Sequence, residues 1–218
     1  MEEGILYKKQ YFTRLQEFSS LAPEAFRAFI AFDQQVMESG SLDLKLKELT
    51  AVAVAHTTGC PYCIELHVGN AKTAGASKEE MGEAILTAAA LKAGSALAHG
   101  VNALNAYDEN KDDTLYKKSY FDRLSEFSKL VPQPFQAFAA FDAEAVKQGV
   151  LSAKEKELIA VAVAHTTGCP YCIEVHTKAA KAAGASLEET AEVIMVAAAL
   201  KAGSAMAHGV NALNAYDE

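Results

Sequence analysis

A chain of 218 residues, half of them hydrophobic, is long enough to bury a substantial core, and its 20 basic and 28 acidic residues leave a net charge of −8. With no long basic run it offers no electrostatic footprint for nucleic acid or an anionic membrane. Met1-Glu2-Glu3-Gly4 lacks the regions of a signal peptide, and the apolar stretches read as too short and too interrupted to span a bilayer, so the expected compartment is the cytoplasm.

The chain repeats itself. From Cys60 to Cys169 is 109 positions, and that register holds from Tyr7/Tyr116 to Glu109/Glu218 without an insertion. Residues 51–65 recur unchanged as 160–174, which reads as a recent duplication. Copy one is placed at 1–109, a polar linker around Asn110-Lys111-Asp112-Asp113 at 110–115, and copy two at 116–218. Each copy has the size at which one domain can bury its own core.

No segment carries a convincing strand pattern; apolar residues recur at helical spacing among Ala, Leu, Lys and Glu, so the fold class is all-α with about six helices per copy. The first runs from about Leu6 to Ser19 with Tyr11, Leu15 and Phe18 on one face. The second starts near Pro23, carries Phe26, Ile30 and Asp33 on a face widened by Phe29 and Phe32, and stops at Gly40. The Phe cluster reads as core, one edge of which could line a substrate pocket. The third spans about Asp43 to Thr57. Pro61 then suits the first position of a fourth helix that ends near Gly75, which sets Cys60 at its N-terminus. Ser77-x-x-Glu80 and Ser186-x-x-Glu189 read as capping boxes opening a fifth. Ala93-Gly94-Ser95 reads as a kink or break before a sixth helix that runs through His99 to about Tyr107.

All four cysteines fall in one twice-used string, Glu48-x11-Cys60-Pro61-Tyr62-Cys63-x3-His67 and Glu157-x11-Cys169-Pro170-Tyr171-Cys172-x3-His176. On a helix, Cys63 and His67 are i and i+4 and Cys60 shares their face. A helix N-terminus presents unpaired N–H groups and partial positive charge to the first thiol, which favours its thiolate. Glu48 could reach His67 only by tertiary packing, where it would orient the ring and favour the imidazolium. The expected chemistry is dithiol–disulfide redox with a Glu/His proton relay, and no cofactor or metal is called for. Two alternatives stand beside it. A structural or assembly protein could bind zinc through the cysteines and His67, completed by His56 or Glu48, although compact spacing on one helix supplies few ligands. Cys-Pro-Tyr-Cys also occurs in glutaredoxins, whose fold needs a strand before the motif and a mixed sheet, neither of which this chain supplies. His56 reads as a cap on the third helix, His99 and His208 as packed or interface histidines, and Glu65 and Glu174 as solvated.

The string E-x11-C-x2-C-x3-H in an Ala-rich helical domain resembles the AhpD-like alkylhydroperoxidase branch of the carboxymuconolactone decarboxylase family, closely over about Leu42–Tyr107 and Leu151–Tyr216 and including the Gly75-Ala76-Ser77 turn. The resemblance implies tandem all-α domains and oligomerisation as trimers or hexamers, here a homotrimer imitating a hexamer of domains. It implies a peroxide reduced at Cys63 and Cys172, disulfides formed with Cys60 and Cys169, and proton transfer through Glu48–His67 and Glu157–His176. The implied partners are a hydroperoxide or disulfide substrate and a lipoyl-bearing or thioredoxin-like dithiol reductant. A decarboxylase of the same fold is the other branch. In one respect the chain departs from the alkylhydroperoxidase pattern, which resembles C-x-H-C: Tyr62 and Tyr171 stand where that motif has a second histidine, and a phenol with a pKa near ~10 is a poor neutral-pH base.

Overall fold

The structure is a computed structural model that describes residues 5–217; Met1–Gly4, on which the signal-peptide reading rests, and Glu218 lie outside the described residues. Among those residues there are α-helices and 3-10 segments and no strand, as the periodicity predicts. Copy one contributes a 3-10 segment Lys9–Glu17, α1 (Phe18–Leu21), α2 (Pro23–Met37), α3 (Leu44–Thr58), α4 (Pro61–Thr73) and α5 (Lys78–Tyr107). Copy two follows with a 3-10 segment Lys118–Glu126, α6 (Phe127–Leu130), α7 (Pro132–Val146), α8 (Ala153–Thr167), α9 (Pro170–Ala182) and α10 (Leu187–Tyr216).

The centre of the molecule is α3 against α8, flanked by α5 and α10. From Leu46 to Ala55 every residue of α3 is buried, Lys47, Glu48 and Thr50 included, so this stretch has no solvent face. Asp43 opens α3 by accepting from the Leu46 N–H at 2.8 Å, and Gly59, at φ 74°, closes it in the left-handed region that glycine enters without steric cost. Both long helices open with the capping boxes read from the sequence.

Three expectations are corrected. The first helix is not one α-helix from Leu6 to Ser19. It is a 3-10 segment ending in a single α turn, because its apolar ridge is Phe12, Leu15 and Phe18, spaced by three, and i, i+3 side chains eclipse in a 3-10 helix. Gly40 is not a helix stop: α2 ends at Met37, and Gly40 is small because the Glu192 carboxylate sits 2.4 Å from where its Cβ would lie. Nor is there a break at Ala93-Gly94-Ser95. The fifth and sixth helices are one 30-residue helix, and the small residues admit the other copy: a Cβ on Gly94 would lie 3.5 Å from Phe138, and one on Gly100 2.7 Å from Phe127. A glycine inside a helix costs about 1 kcal/mol against alanine, which this close packing offsets. The same continuity makes α5 and α10 long and apolar enough by length and composition to cross a membrane, contrary to the sequence reading; here 44% of each apolar window is buried inside the fold.

The expected pair of separate cores is a single one. Leu49, Val52 and Leu91 of copy one and Leu158, Ile159 and Val193 of copy two belong to one continuous cluster. The 3-10 segment of each copy packs on the long helix of the other, fixed by Arg14 to Asn214 (2.7 Å) and Asp217 (2.5 Å), and by Arg123 to Asn105 (2.6 Å) and Asp108. Across the core, Lys47 pairs with Glu192 at 2.9 Å and Lys156 with Glu83 at 3.0 Å. Each lysine is 3% exposed, and each glutamate also accepts two backbone N–H bonds from the opposite copy, Ser41 and Leu42 on Glu192, Val150 and Leu151 on Glu83. Removing one partner strands the other charge and two amides. Glu192→Ala is therefore expected to lower unfolding free energy by about 2–3 kcal/mol, measured by urea denaturation, with Glu83→Ala giving a matching loss.

Candidate active site

The αL turn at Gly59 swings the chain so that Cys60 becomes the N-cap of α4 and Pro61 its first residue. Cys60 does the work usually left to Ser or Asp: its sulfur accepts from the Cys63 N–H at 3.3 Å. Cys63 directs its thiol at the same sulfur, with the two Sγ atoms 2.6 Å apart, and both cysteines are free. One turn on, His67 Nδ1 meets Glu48 Oε2 of α3 at 2.8 Å; read as Nδ1–H donating to the carboxylate, this leaves Nε2 as the proton-exchanging nitrogen. Asn70 donates to the other carboxylate oxygen at 3.1 Å. Copy two reproduces the set, with Cys172 N–H to Cys169 Sγ at 3.4 Å and His176 Nδ1 to Glu157 Oε2 at 2.8 Å, but Ala179 replaces Asn70 and Glu157 loses that donor. All eight residues singled out in the sequence thus gather into two sites.

The hydrogen bond from Cys63 is the largest influence on Cys60, reinforced by the Cys63 N–H, and it draws the Cys60 thiol down to about 6 against the opposing cost of burial. The donor is affected oppositely: Cys63, which keeps its proton while donating a hydrogen bond to Cys60, is raised well above the usual thiol range. Cys169, also at about 6, and Cys172 behave alike. Ionisation of the pair is therefore favoured at the cysteine at the helix terminus. Access runs the other way. A cavity of about 130 Å³ opens on Cys172, His176 and Asp142 between Phe121, Phe138 and Leu97, and Cys169 is not among its walls. Leu91, Gly94, Leu97 and Ala98 of α5 form the side of that cavity contributed by copy one.

Tyr62, standing at the position of the missing histidine, has a structural explanation. Its ring stacks on Phe12 (centroids 5.2 Å apart) and tilts against Tyr7 (5.6 Å), and burial raises its pKa. It is a wall of the site and not a member of the relay. His56 Nδ1 lies 2.8 Å from Val52 O, a back-bond to the helix interior and not the cap on the end of α3 expected of it. Glu65 pairs with Lys9, and Glu174 with Lys118 and Lys178, at the surface. No group of three or more His, Cys, Asp and Glu side chains among the described residues is arranged to hold a metal ion, so the zinc reading finds no ligand set.

Sequence reasoning missed three groups. Asp33, read only as a helix-face residue, and its twin Asp142 lie in the field of the His–Glu pairs. Asn70 follows His67 by three residues, a spacing that could have flagged it. Ser204 and His208 of α10 stand beside Cys60, and Ser95 and His99 of α5 beside Cys169. The copies exchange these residues, so nothing local could reveal them.

An all-helical duplicated protein with paired buried dithiols and a carboxylate–imidazole relay is the class that fold and site define. The chain belongs to the carboxymuconolactone decarboxylase family, whose model matches it twice, at residues 23–106 and 132–215. It is 50% identical over 82 residues to an uncharacterized protein in the cox locus of Paracoccus denitrificans, 38% of this chain and 74% of that one. It is 43% identical over 106 residues to an uncharacterized protein of Haemophilus influenzae, 49% of this chain and 91% of that one. A crystal structure provisionally assigned as a gamma-carboxymuconolactone decarboxylase subunit from Burkholderia xenovorans LB400 superposes with a TM-score of 0.67 over 95% of both chains at 21% identity, a likeness of fold.

Burial is the main cause that raises the Asp33 carboxyl above its ordinary pKa. The folded protein then holds that proton more tightly than the unfolded chain, so stability is full below the unfolded carboxyl pKa of ~4 and declines as pH rises through the folded value. Asp33→Asn removes the decline. It is expected to melt at a higher temperature than the parent at pH 7 and at the same temperature at pH 4, by calorimetry.

Proposed function

We propose that the protein is a thiol-dependent peroxidase whose two sites each cycle between dithiol and disulfide. The observation that carries this reading is the bonded sulfur pair beside the Glu48–His67 dyad, with its twin in copy two opening on a cavity at the second cysteine. Cys63, the counterpart of the cavity-facing Cys172, yields its proton to His67 while Glu48 steadies the imidazolium. The Cys63 thiolate then attacks the distal oxygen of a hydroperoxide; an S–O bond forms, the O–O bond breaks, and the alkoxide takes the proton from His67 to leave as an alcohol. The Cys60 thiolate attacks the sulfenic sulfur, closing the disulfide and releasing hydroxide, which is protonated by solvent. A dithiol reductant regenerates the pair by attacking Cys63, and the acidic Cys60 is the better leaving group. The division between a cavity-facing sulfur and an acidic buried one thus serves both half-reactions.

The cavity, at about 130 Å³ with Phe, Leu and Val walls, fits a small organic hydroperoxide. A lipoyl-bearing or thioredoxin-like protein is the proposed reductant and the cytoplasm the proposed compartment. A homotrimer is proposed because Leu86, Leu187, Met195 and Phe141 remain exposed on the chain, at 38–80% of their surface. Light scattering is expected to give three times the chain mass; a monomeric mass would remove the trimer.

One equivalent of hydroperoxide per site is expected to remove two hydrogens per motif by intact mass, reversibly with a dithiol. Cys63→Ser with Cys172→Ser should abolish turnover, and retained turnover would sink the cysteine mechanism. Glu48→Gln with Glu157→Gln should slow the peroxide step by about 10²-fold without changing the stoichiometry.

A further inference from the structure

Cys60 and Cys169 have no exposed surface at all, yet each is the hydrogen-bond acceptor of its pair and so the sulfur on which a thiolate is favoured. Burying an ion without a partner costs several kcal/mol, and a helix N-terminus offers only about half a unit charge. Something else must face these sulfurs, and it comes from the other copy. Cys60 packs with Ala207 and Val210 of α10, the residues that flank His208, while Cys169 packs with Ala98 and Val101 of α5, which flank His99. One turn before each histidine a buried serine, Ser204 or Ser95, stands near enough to favour the thiolate. His208 Nε2 is buried and has no hydrogen-bond partner among the described residues. Its ring stands edge-on to Tyr7 at 6.4 Å, and Tyr7 leans on Tyr62, the residue between the two cysteines. In the other site Tyr116 repeats this, with its hydroxyl 3.3 Å from His99 Nδ1.

We propose that His208 and His99 are positioning residues that act in trans, each holding the thiolate of the other copy's first cysteine, so that every redox site is completed by both halves of the chain. The proposal rests on the dithiol reading of the site and adds the residues that set its charge. The groups around Cys60 are Cys63 and Tyr62 on its own helix, Ser204 and His208 on α10, and Tyr11 from the N-terminal segment, with Tyr7 against Tyr62 and His208 and the Lys8 ammonium over the Tyr11 ring at 6.0 Å. Of the two groups here able to carry positive charge, His208 is the one whose field bears on the Cys60 thiol. When it is protonated, the thiolate is neutralised where it stands; when Cys60 must be a leaving group, the same charge receives it.

The test is the pH dependence of iodoacetamide alkylation at each cysteine, without peroxide, so that it can succeed or fail apart from the peroxidase reading. In full-length Cys63→Ser/Cys172→Ser protein one thiol remains per motif, and tryptic peptides distinguish Cys60 from Cys169 because residues 66–72 and 175–181 differ. His208→Gln is expected to slow Cys60 alkylation at pH 6 about tenfold and leave Cys169 unchanged; His99→Gln should do the reverse. His208→Asn, which keeps polarity but not charge, should act like His208→Gln. A shift confined to the mutated copy, equal shifts in both motifs, or no shift in any variant would overturn the proposal.

Discussion

The structure depends on one arrangement, the crossing of each copy's long helix into the territory of the other. Once α5 and α10 have exchanged places, the rest follows from covering what they expose. The central helices α3 and α8 can be buried on every side only because helices from both copies surround them. Lys47 and Lys156 can be buried because a carboxylate arrives from across the repeat, and that carboxylate in turn ties down the two amides that follow Gly40 and Gly149. Charge burial of this kind contributes modestly to stability but strongly disfavours any pairing in which the lysine meets no partner. It helps select the exchanged arrangement over two independent bundles.

The sites inherit this logic. Their chemistry is local, set by a turn, a cap and two successive helices, while their surroundings are remote. The cysteine at the helix terminus is the favoured thiolate and lies hidden, and in copy two the second cysteine lines a cavity. A reactive thiol that must be both nucleophile and, later, leaving group is hard to optimise in one position; two sulfurs in contact separate the tasks. Asn70 and Ala179 show that the two sites have started to differ at the carboxylate.

What was legible in the sequence is what lies within one helix turn or one cap. Gly59, Pro61, the Ser77–Glu80 box and the i, i+4 pair of Cys63 and His67 could each be read because the physics that fixes them reaches only a few residues. Ala93-Gly94-Ser95 misled for the converse reason. Small residues mark close approach as well as chain breaks, and only the presence of Phe138 across the interface distinguishes the two. His99 and His208 escaped for the same cause, since their significance lies in sulfurs more than sixty residues away in the chain. The 3-10 segment could have been detected from Phe12, Leu15 and Phe18, but a ridge of period three is easily absorbed into a helix of period 3.6.

The exchange also has a consequence for synthesis. The residues that close over Cys60 lie on the last helix of the chain, around Ala207 and Val210. At ribosomal speeds of about 5–20 residues per second, the first pair of thiols spends on the order of ten seconds outside the ribosome before its cover is even made. The second pair waits far less, because α5 precedes it. A nascent chain of this protein thus passes through a stage, before α10 is made, in which one motif is open to oxidants and metal ions.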